Sequence, residues 1–580
     1  MRNSLSHLLS RLEMTVAADE GAALRARGDL DGVDIFASEV SRVSVNRAAD
    51  RGWRERRATR EKTNTTLRRK GTRKYVKRVK QNIQRTLTHF LKLGRDNLAS
   101  HSTALQERKI KGEKRFVKTK LLCGLAVTTA LSLFGAKEAS AQAKLIAKGT
   151  LTESNAGLFA DLSGLDYNLE NGAPANLLGG LGSALTWGYG DTFLALPDRG
   201  PNAVSFDSLV DDTVSYVPRF HTIKMNLQPS SGALPFTLTP TLEATTLLFS
   251  HSPLVYGSGS GLGVGPGAPV INTPSRSYFS GRSDNFDASG NSGNANNARL
   301  DCEGIRLSSD GKRVYISDEY GPYMYEFDRE SGQRIRAFKL PDHLFVSTLS
   351  AQGAVEISGN TSGRVANKGM EGLAITPDGN TLVGIMQNAL IQDAAQGGAA
   401  VNLLRIVTVN VSTGKTTHEY AYLLTTGSGV SEITALNDHE FLVDERDGKG
   451  LGDGSKAKVK QIFKIDLAGA VDVQDMDGTT AAANAVSKTL FLDVVKELTA
   501  NGITADQIPA KLEGITLGPD VDNNGTTLHT FWLANDNDFL QDLNGAGTNP
   551  NQFFVFGFTD ADLAGSALVL QQAQGSAKQD

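Results

Sequence analysis

The feature that most constrains this chain is a unit that returns four times after residue 300. Each copy opens on a glutamate before alternating apolar residues, turns on Asp, Asn or Gly, and ends a second strand in acidic or amide residues. The first strong copy runs from Cys302-Glu303-Gly304-Ile305 through Ser309-Asp310-Gly311-Lys312 to Ser317-Asp318-Glu319. The second runs from Met370-Glu371-Gly372-Leu373 through Pro377-Asp378-Gly379-Asn380 to Gln387-Asn388. The third pairs Ser431-Glu432-Ile433 with Glu445-Arg446, and the fourth pairs Leu512-Glu513-Gly514-Ile515 with Asn535-Asp536. A weaker copy reads Leu162-Ser163-Gly164-Leu165 and returns at Phe193 to Arg199. The glutamates are spaced 68, 61 and 81 residues apart, and 140 residues separate Ser163 from Glu303. That longer interval leaves room for one divergent unit, which predicts six in all. Repeats of this length, with hairpin turns of residues that tolerate positive φ, predict an all-β propeller of six four-stranded antiparallel blades. A two-sheet sandwich, the other all-β solution, does not explain a glutamate at the same repeat position four times.

Charge divides the chain. Residues 1–115 carry 28 Lys/Arg against 13 Asp/Glu, a balance of +15, whereas residues 142–580 carry 29 against 49, a balance of −20. Between them lies an export signal: Lys118 and Lys120, an apolar run from Leu121 to Phe134, and a small-residue cleavage site at Ala139-Ser140-Ala141. The apolar run is too short for a membrane span of about 20 residues. The expected organisation is a basic, poorly organised segment over 1–116, a signal peptide over 117–141 and a propeller over 142–580. Because leaders sit at N-termini, translation is expected to begin at Val117. A nucleic-acid-binding basic arm is the rival for the first segment. No nucleic-acid role, transmembrane span or obligate oligomer is expected of the acidic part, which reads as an exported monomer. Cys302 is its single cysteine, so no internal disulfide forms. The best helical candidates are 482–501 and the tail after Ala561.

In a propeller, equivalent positions on successive blades converge on one axis. The glutamate column (Glu303, Glu371, Glu432, Glu513, with Ser163 in the weak copy) therefore predicts carboxylates gathered around a channel. Gathered carboxylates repel unless protons or a cation intervene, and hard oxygen ligands select Ca²⁺ or Mg²⁺. A second column contains Asp198, Asp318, Gln387, Glu445 and Asn535, and a third contains Arg199, Glu319, Asn388, Arg446 and Asp536. The candidate metal ligands are Asp198, Asp301, Glu303, Asp318, Glu319, Glu371, Glu432, Glu445, Glu513, Asn535 and Asp536. The candidate anion-binding residues are Arg199, Arg219 and Arg446. The competing structural reading is that such residues cap loops and hold blades in register. No nucleophile elbow, P-loop or paired zinc histidines are present, so no residue identifies itself as nucleophile or general base. The loop Asp284 to Asn291 lacks EF-hand spacing and reads as an ordinary loop.

The segments Leu162–Leu165, Leu196-Pro197-Asp198-Arg199-Gly200-Pro201-Asn202, Pro218-Arg219-Phe220, Asp301-Cys302-Glu303-Gly304, Ser317-Asp318-Glu319-Tyr320-Gly321-Pro322 and Glu371-Gly372-Leu373 resemble the family named for the esterase-like activity of phytase. The likeness spans Ala156 to Phe558. It implies an exported propeller acting on phosphate or carboxylic esters of small molecules. For such hydrolysis the expected mechanism is metal-assisted, with channel carboxylates holding Ca²⁺ and Arg199 or Arg219 orienting the anionic group. Two other functions fit the same pattern: a six-bladed lactonase-like metal hydrolase, and a non-enzymatic envelope module that stores calcium.

Overall fold

Each recurring unit folds as the two inner strands of a four-stranded antiparallel sheet. The computed structural model describes residues 143–203, 213–257, 267–398, 402–543 and 547–571; the basic segment and the leader lie outside them. Blade one comprises Ala184–Trp187, Thr192–Leu196, Arg219–Pro229 and Phe236–Leu247. Blade two comprises Cys302–Leu307, Arg313–Asp318, Tyr323–Asp328 and Arg334–Ala337, and blade three Met370–Ile375, Thr381–Met386, Leu403–Asn410 and Lys415–Leu423. Blade four is built from Gly429–Ala435, Glu440–Arg446, Lys460–Asp466 and Lys488–Asp493. Blade five takes Lys511–Asn523, Thr526–Asp536 and Asn551–Phe558 from the end of the chain, and its outermost strand, Lys144–Leu151, from the beginning. That strand pairs from Lys144 opposite Gly557 to Leu151 opposite Asn551 and closes the ring.

The propeller therefore has five blades, not six. Inner strands touch in the cycle one, two, three, four, five, one. The weak copy and the proposed divergent unit are one blade. Phe193 belongs to its second strand, but the inner strand is Ala184–Trp187 rather than Leu162–Leu165, which lies in a loop with Gly164 at φ 72°. Among the described residues, the remaining length before blade two includes loops and the short ribbon of Phe249–Ser250 with Ser277–Tyr278. The helical expectation over 482–501 is corrected as well. A strand, Lys488–Asp493, interrupts it, and only Val494–Ala500 continues as helix, capped by the Asp493 side chain. The tail after Ala561 completes a single 3-10 turn, Asp560–Leu563.

Blade faces stack on one another, so the middle strands are apolar on both sides and lose the half-polar alternation of a surface sheet. Successive residues serve successive interfaces: Ile316 packs between blades one and two, whereas Tyr315 packs between two and three. Five apolar clusters fill the five interfaces. On the axis, the buried Arg306 donates to the carbonyl oxygens of Leu185 (2.9 Å), Ile305 (2.6 Å), Ile433 (2.6 Å) and Ile515 (3.3 Å), tying the inner strands of blades one, two, four and five. Below it the tail lies across the channel, with Val569 N donating to Leu436 O. Arg306, Val569 and Gln571 line a small recess there.

Candidate metal and substrate site

The opposite end of the axis is open, and its chemistry follows from the strand register. In blades two, three and five the ladder slips by one residue at Glu303, Glu371 and Glu513. A bulge leaves its residue unpaired and re-aims the side chain, and these three carboxylates line a cavity of about 700 Å³. The glycine after each glutamate is sterically required. A Cβ on Gly304 would lie 2.7 Å from Leu373 Cβ, and one on Gly372 2.8 Å from Glu432 Cα. Inner strands crowd at the axis, and only glycine admits the approach.

The same registers identify the partner ring. Asp318 opposes Cys302 and Asn535 opposes Leu512, so the next residues outward, Glu319 and Asp536, are equivalent. With Gln387 and Arg446, and with Asp198 from blade one, they form a ring of strand-exit residues. This ring mixes the second and third sequence columns, which are offset by one residue in different blades.

Three groups of carboxylates bring ligand atoms within 4.8 Å of one another: Glu303, Glu319 and Glu371; Asp198, Asp301 and Glu303; and Asp198, Asp536 and Asp538. They differ in their counter-ions. The Arg199 guanidinium lies 2.7 Å from Asp301 and also donates to Asn367. The Lys511 ammonium lies 2.6 Å from Asp538 and 2.8 Å from Asp536. The first group has weaker support: Ser183 donates to Glu303 (2.9 Å) and Gln387 to Glu371 (2.8 Å). Glu319 is 2 % exposed, and its Oε1 has no hydrogen-bond donor among the described residues. A buried carboxylate oxygen without a donor is costly. An all-oxygen set around it suits a hard divalent cation such as Ca²⁺, so these residues fit the implied metal.

Electrostatics agree. Burial first, and then the facing carboxylates, hold Glu303 and Glu319 well above the usual carboxylate range. Burial and the Glu513 charge push Glu371 up to about 7, and burial with Asp301 pushes Asp198 to about 7. Glu513 also rises to about 7 through burial, although Arg446 and Lys511 pull it down. Burial lifts Asp536 to about 6, Lys511 opposing. Removal of these charges from water is the dominant cost in every case.

Of the residues singled out from sequence, Asp198, Glu303, Glu319, Glu371, Glu513, Arg199 and Arg446 line the cavity. Asp301 touches Asp198 and Glu303, and Asp536 holds Lys511. Gln387 of the second column lines it too, and the others do not. Asp318 accepts the backbone N–H groups of Asp301 and Gly321, both at 2.7 Å, and fixes the turn. Glu445 accepts from Tyr422, Thr425, Ser428 and Lys488, and Asn535 accepts Gln552 N at 2.6 Å. In blade four the slip falls at Ser431, so Glu432 occupies the glycine position. It turns along the axis to Arg306 at 3.3 Å and accepts Leu373 N at 2.8 Å. In blade one the column position belongs to Ser183, not Ser163. Arg219 is fully buried against Tyr216 and paired with Asp161 at 2.5 Å, out of reach of any ligand. Arg446 donates to Ser431 (2.9 Å) and Glu513, so its fork is engaged by the protein. Sequence reasoning missed Lys511, Lys368, Asn367 and Asp538. Lys511 was discoverable, since it precedes the glutamate by two residues, as Asp301 does in blade two.

A family model for the esterase-like activity of phytase matches residues 176–539, which contain both rings. The chain belongs to the phytase-like family. An uncharacterized secreted protein of Arthroderma benhamiae is 33% identical over 211 residues, covering 31% of this chain and 39% of that relative. The chain thus aligns with about two-fifths of the length of that relative. Similar solved structures include the Dos1 propeller, at 9% identity and a TM-score of 0.24 over 69% of this chain and 71% of that one. The Cps50 (Swd1) β-propeller domain of Myceliophteria thermophila matches at 11% identity and a TM-score of 0.18, over 40% of this chain and 50% of that one. No helix among the described residues of this phytase-like chain is long and apolar enough to cross a membrane.

Proposed function

We propose that this phytase-like protein is an exported, metal-assisted hydrolase of small-molecule esters, with Ca²⁺ held by Glu303, Glu319 and Glu371. The observation that carries the reading is the buried Oε1 of Glu319, which has no donor among the described residues, inside a three-carboxylate group to which no described Lys or Arg forms a salt bridge. Export is supported by the leader-like stretch before the first strand and by the secreted relative.

When bound, such an ion supplies Lewis acidity toward an ester oxygen and a more acidic water. The chain's own residues would prepare the setting. Gln387 and Ser183 orient Glu371 and Glu303 through one oxygen each, leaving the other oxygen of each for the ion. Asp198, with its pKa near 7, can take up a proton at the cavity wall. Charge sets the substrate class. Six acidic residues line the cavity (Asp198, Glu303, Glu319, Glu371, Glu513, Asp538) with four basic ones (Arg199, Lys368, Arg446, Lys511), giving 4 − 6 = −2, which one divalent ion cancels. A neutral pocket edged by Leu177, Phe539 and Leu540 suits a carboxylic ester or a singly charged phosphoester better than a polyanion.

The test is hydrolysis of p-nitrophenyl acetate, a p-nitrophenyl phosphodiester and phytate by the full chain, with Ca²⁺ and with chelator. Calcium-dependent turnover of either small ester, lost in Glu319→Gln, is expected. Calcium stabilisation without turnover of any ester would instead identify a calcium-binding module, and no response to calcium would overturn the site.

A further inference from the structure

We propose that the Lys511 ammonium is a resident cation filling a second carboxylate nest in this cavity, and that it thereby limits the pocket to one divalent ion. The inference rests on the reading of Glu303, Glu319 and Glu371 as the ion site.

The nest is Asp198, Asp536 and Asp538, whose ligand oxygens, like those of the proposed ion site, all lie within 4.8 Å of one another. The Lys511 Nζ lies 2.6 Å from Asp538 Oδ1, 2.8 Å from Asp536 Oδ2 and 3.9 Å from Asp198 Oδ2. Its placement is built into the backbone. Lys511 opens the inner strand of blade five directly opposite Asp536 in the ladder. Asp538 is brought round by a turn in which its own N–H donates to Asp536 Oδ1 at 2.6 Å, with φ at 52°. Both Asp536 oxygens are thus engaged, whereas Glu319, at the same ladder position in blade two, keeps a buried oxygen without a donor. The residue opposite Glu319 is Asp301, so the two blades carry opposite charges at one site of the frame.

An ammonium has three donors and no acceptor, so it cannot itself ligate a metal, and its charge repels a divalent ion brought to the same carboxylate oxygens. With Lys511 in place, Asp536 and Asp538 are withheld from a divalent ion. Asp198, which belongs to this nest and also to the group with Asp301 and Glu303, is held at its edge. Without Lys511 the nest is three carboxylates facing one another, the same arrangement that defines the proposed ion site.

The experiment is ion stoichiometry. Full-length protein and Lys511→Met are equilibrated with CaCl₂, separated from free ion, and assayed for calcium by atomic emission, with circular dichroism reporting the fold. One ion in the native protein and two in Lys511→Met are expected; Lys511→Arg should keep one, and Lys511→Met with Asp536→Asn should return to one. One ion in both proteins, or two in the native protein, would overturn the inference. If Lys511→Met is unfolded in chelator, millimolar calcium should restore it with two ions bound, and failure of calcium to do so would also overturn the inference. No ion in the native protein but one in Lys511→Met would refute the Glu303, Glu319 and Glu371 site while supporting the Lys511 nest. No ion in either would refute both.

Discussion

Blades two and five share one frame and use it in opposite ways. Each has a glutamate on a bulge, a glycine after it and an acidic residue at the strand exit: Glu303, Gly304 and Glu319 in one, Glu513, Gly514 and Asp536 in the other. In blade two the residue facing the exit carboxylate is Asp301, which pairs with Arg199 of blade one, while Glu319 has no salt bridge among the described residues and feels Lys368 only from a distance. In blade five that residue is Lys511, and the cluster carries a counter-ion of its own. On the reading proposed above, the backbone provides the geometry of an ion site, and one position in the ladder would decide whether the cation comes from the protein or from solution.

The largest expected effect separates the two exit residues. Glu319→Gln should weaken Ca²⁺ binding at least a hundredfold by titration calorimetry, about 2.7 kcal/mol, whereas Asp536→Asn should change it less than threefold. Equal losses would break the comparison. Stability should move the other way. Asp536→Asn removes a fully buried partner of Lys511 and should cost about 1–3 kcal/mol in denaturant unfolding. In chelator, Glu319→Gln should raise the melting temperature, because it removes a repelling charge.

The third expectation concerns pH. Burial holds Glu371 and Asp198 near 7, so the metal-free native state keeps protons that the unfolded chain has released above about pH 4.5. Protons bound preferentially by the native state make stability fall as pH rises. The chelated protein should melt several degrees lower at pH 8 than at pH 5, and Ca²⁺ should raise the melting temperature more at pH 8. An unchanged melting temperature across that range would contradict the repulsion. The smallest effect belongs to Ser431→Ala in blade four, which removes one hydrogen bond from Arg446 and should cost about 1 kcal/mol without altering calcium affinity.

The fold class was readable because the repeat carries its own turn chemistry and a glutamate-glycine pair whose glycine the crowded axis demands. The blade number was not, because the inner strand of blade one, Ala184–Trp187, has serine at the column position, while Leu162–Leu165 imitates the unit from a loop. Of the glutamate column, Glu303, Glu371 and Glu513 line the cavity, turned inward by the bulges. It failed for Glu432, since a slip one residue earlier cannot be seen in a sequence that still reads Ser-Glu-Ile. Arg219 was misjudged because an arginine bound for a buried pair with Asp161 looks the same in sequence as one facing a ligand. Lys511 was not legible as a site residue because the ammonium that completes an acidic site has the opposite sign to the column it joins.

The closing strand has a consequence for how the molecule is made. Lys144 finds its partner Gly557 only after some 400 further residues have been synthesised. Until then Lys144–Leu151 is a strand without a sheet, and blade five exposes an unpaired edge open to other chains. Assembly of the ring is thus a race between one distant intramolecular pairing and every intermolecular one. Slow synthesis or crowding should favour exchange of that first strand between molecules, a dimer made by trading the clasp.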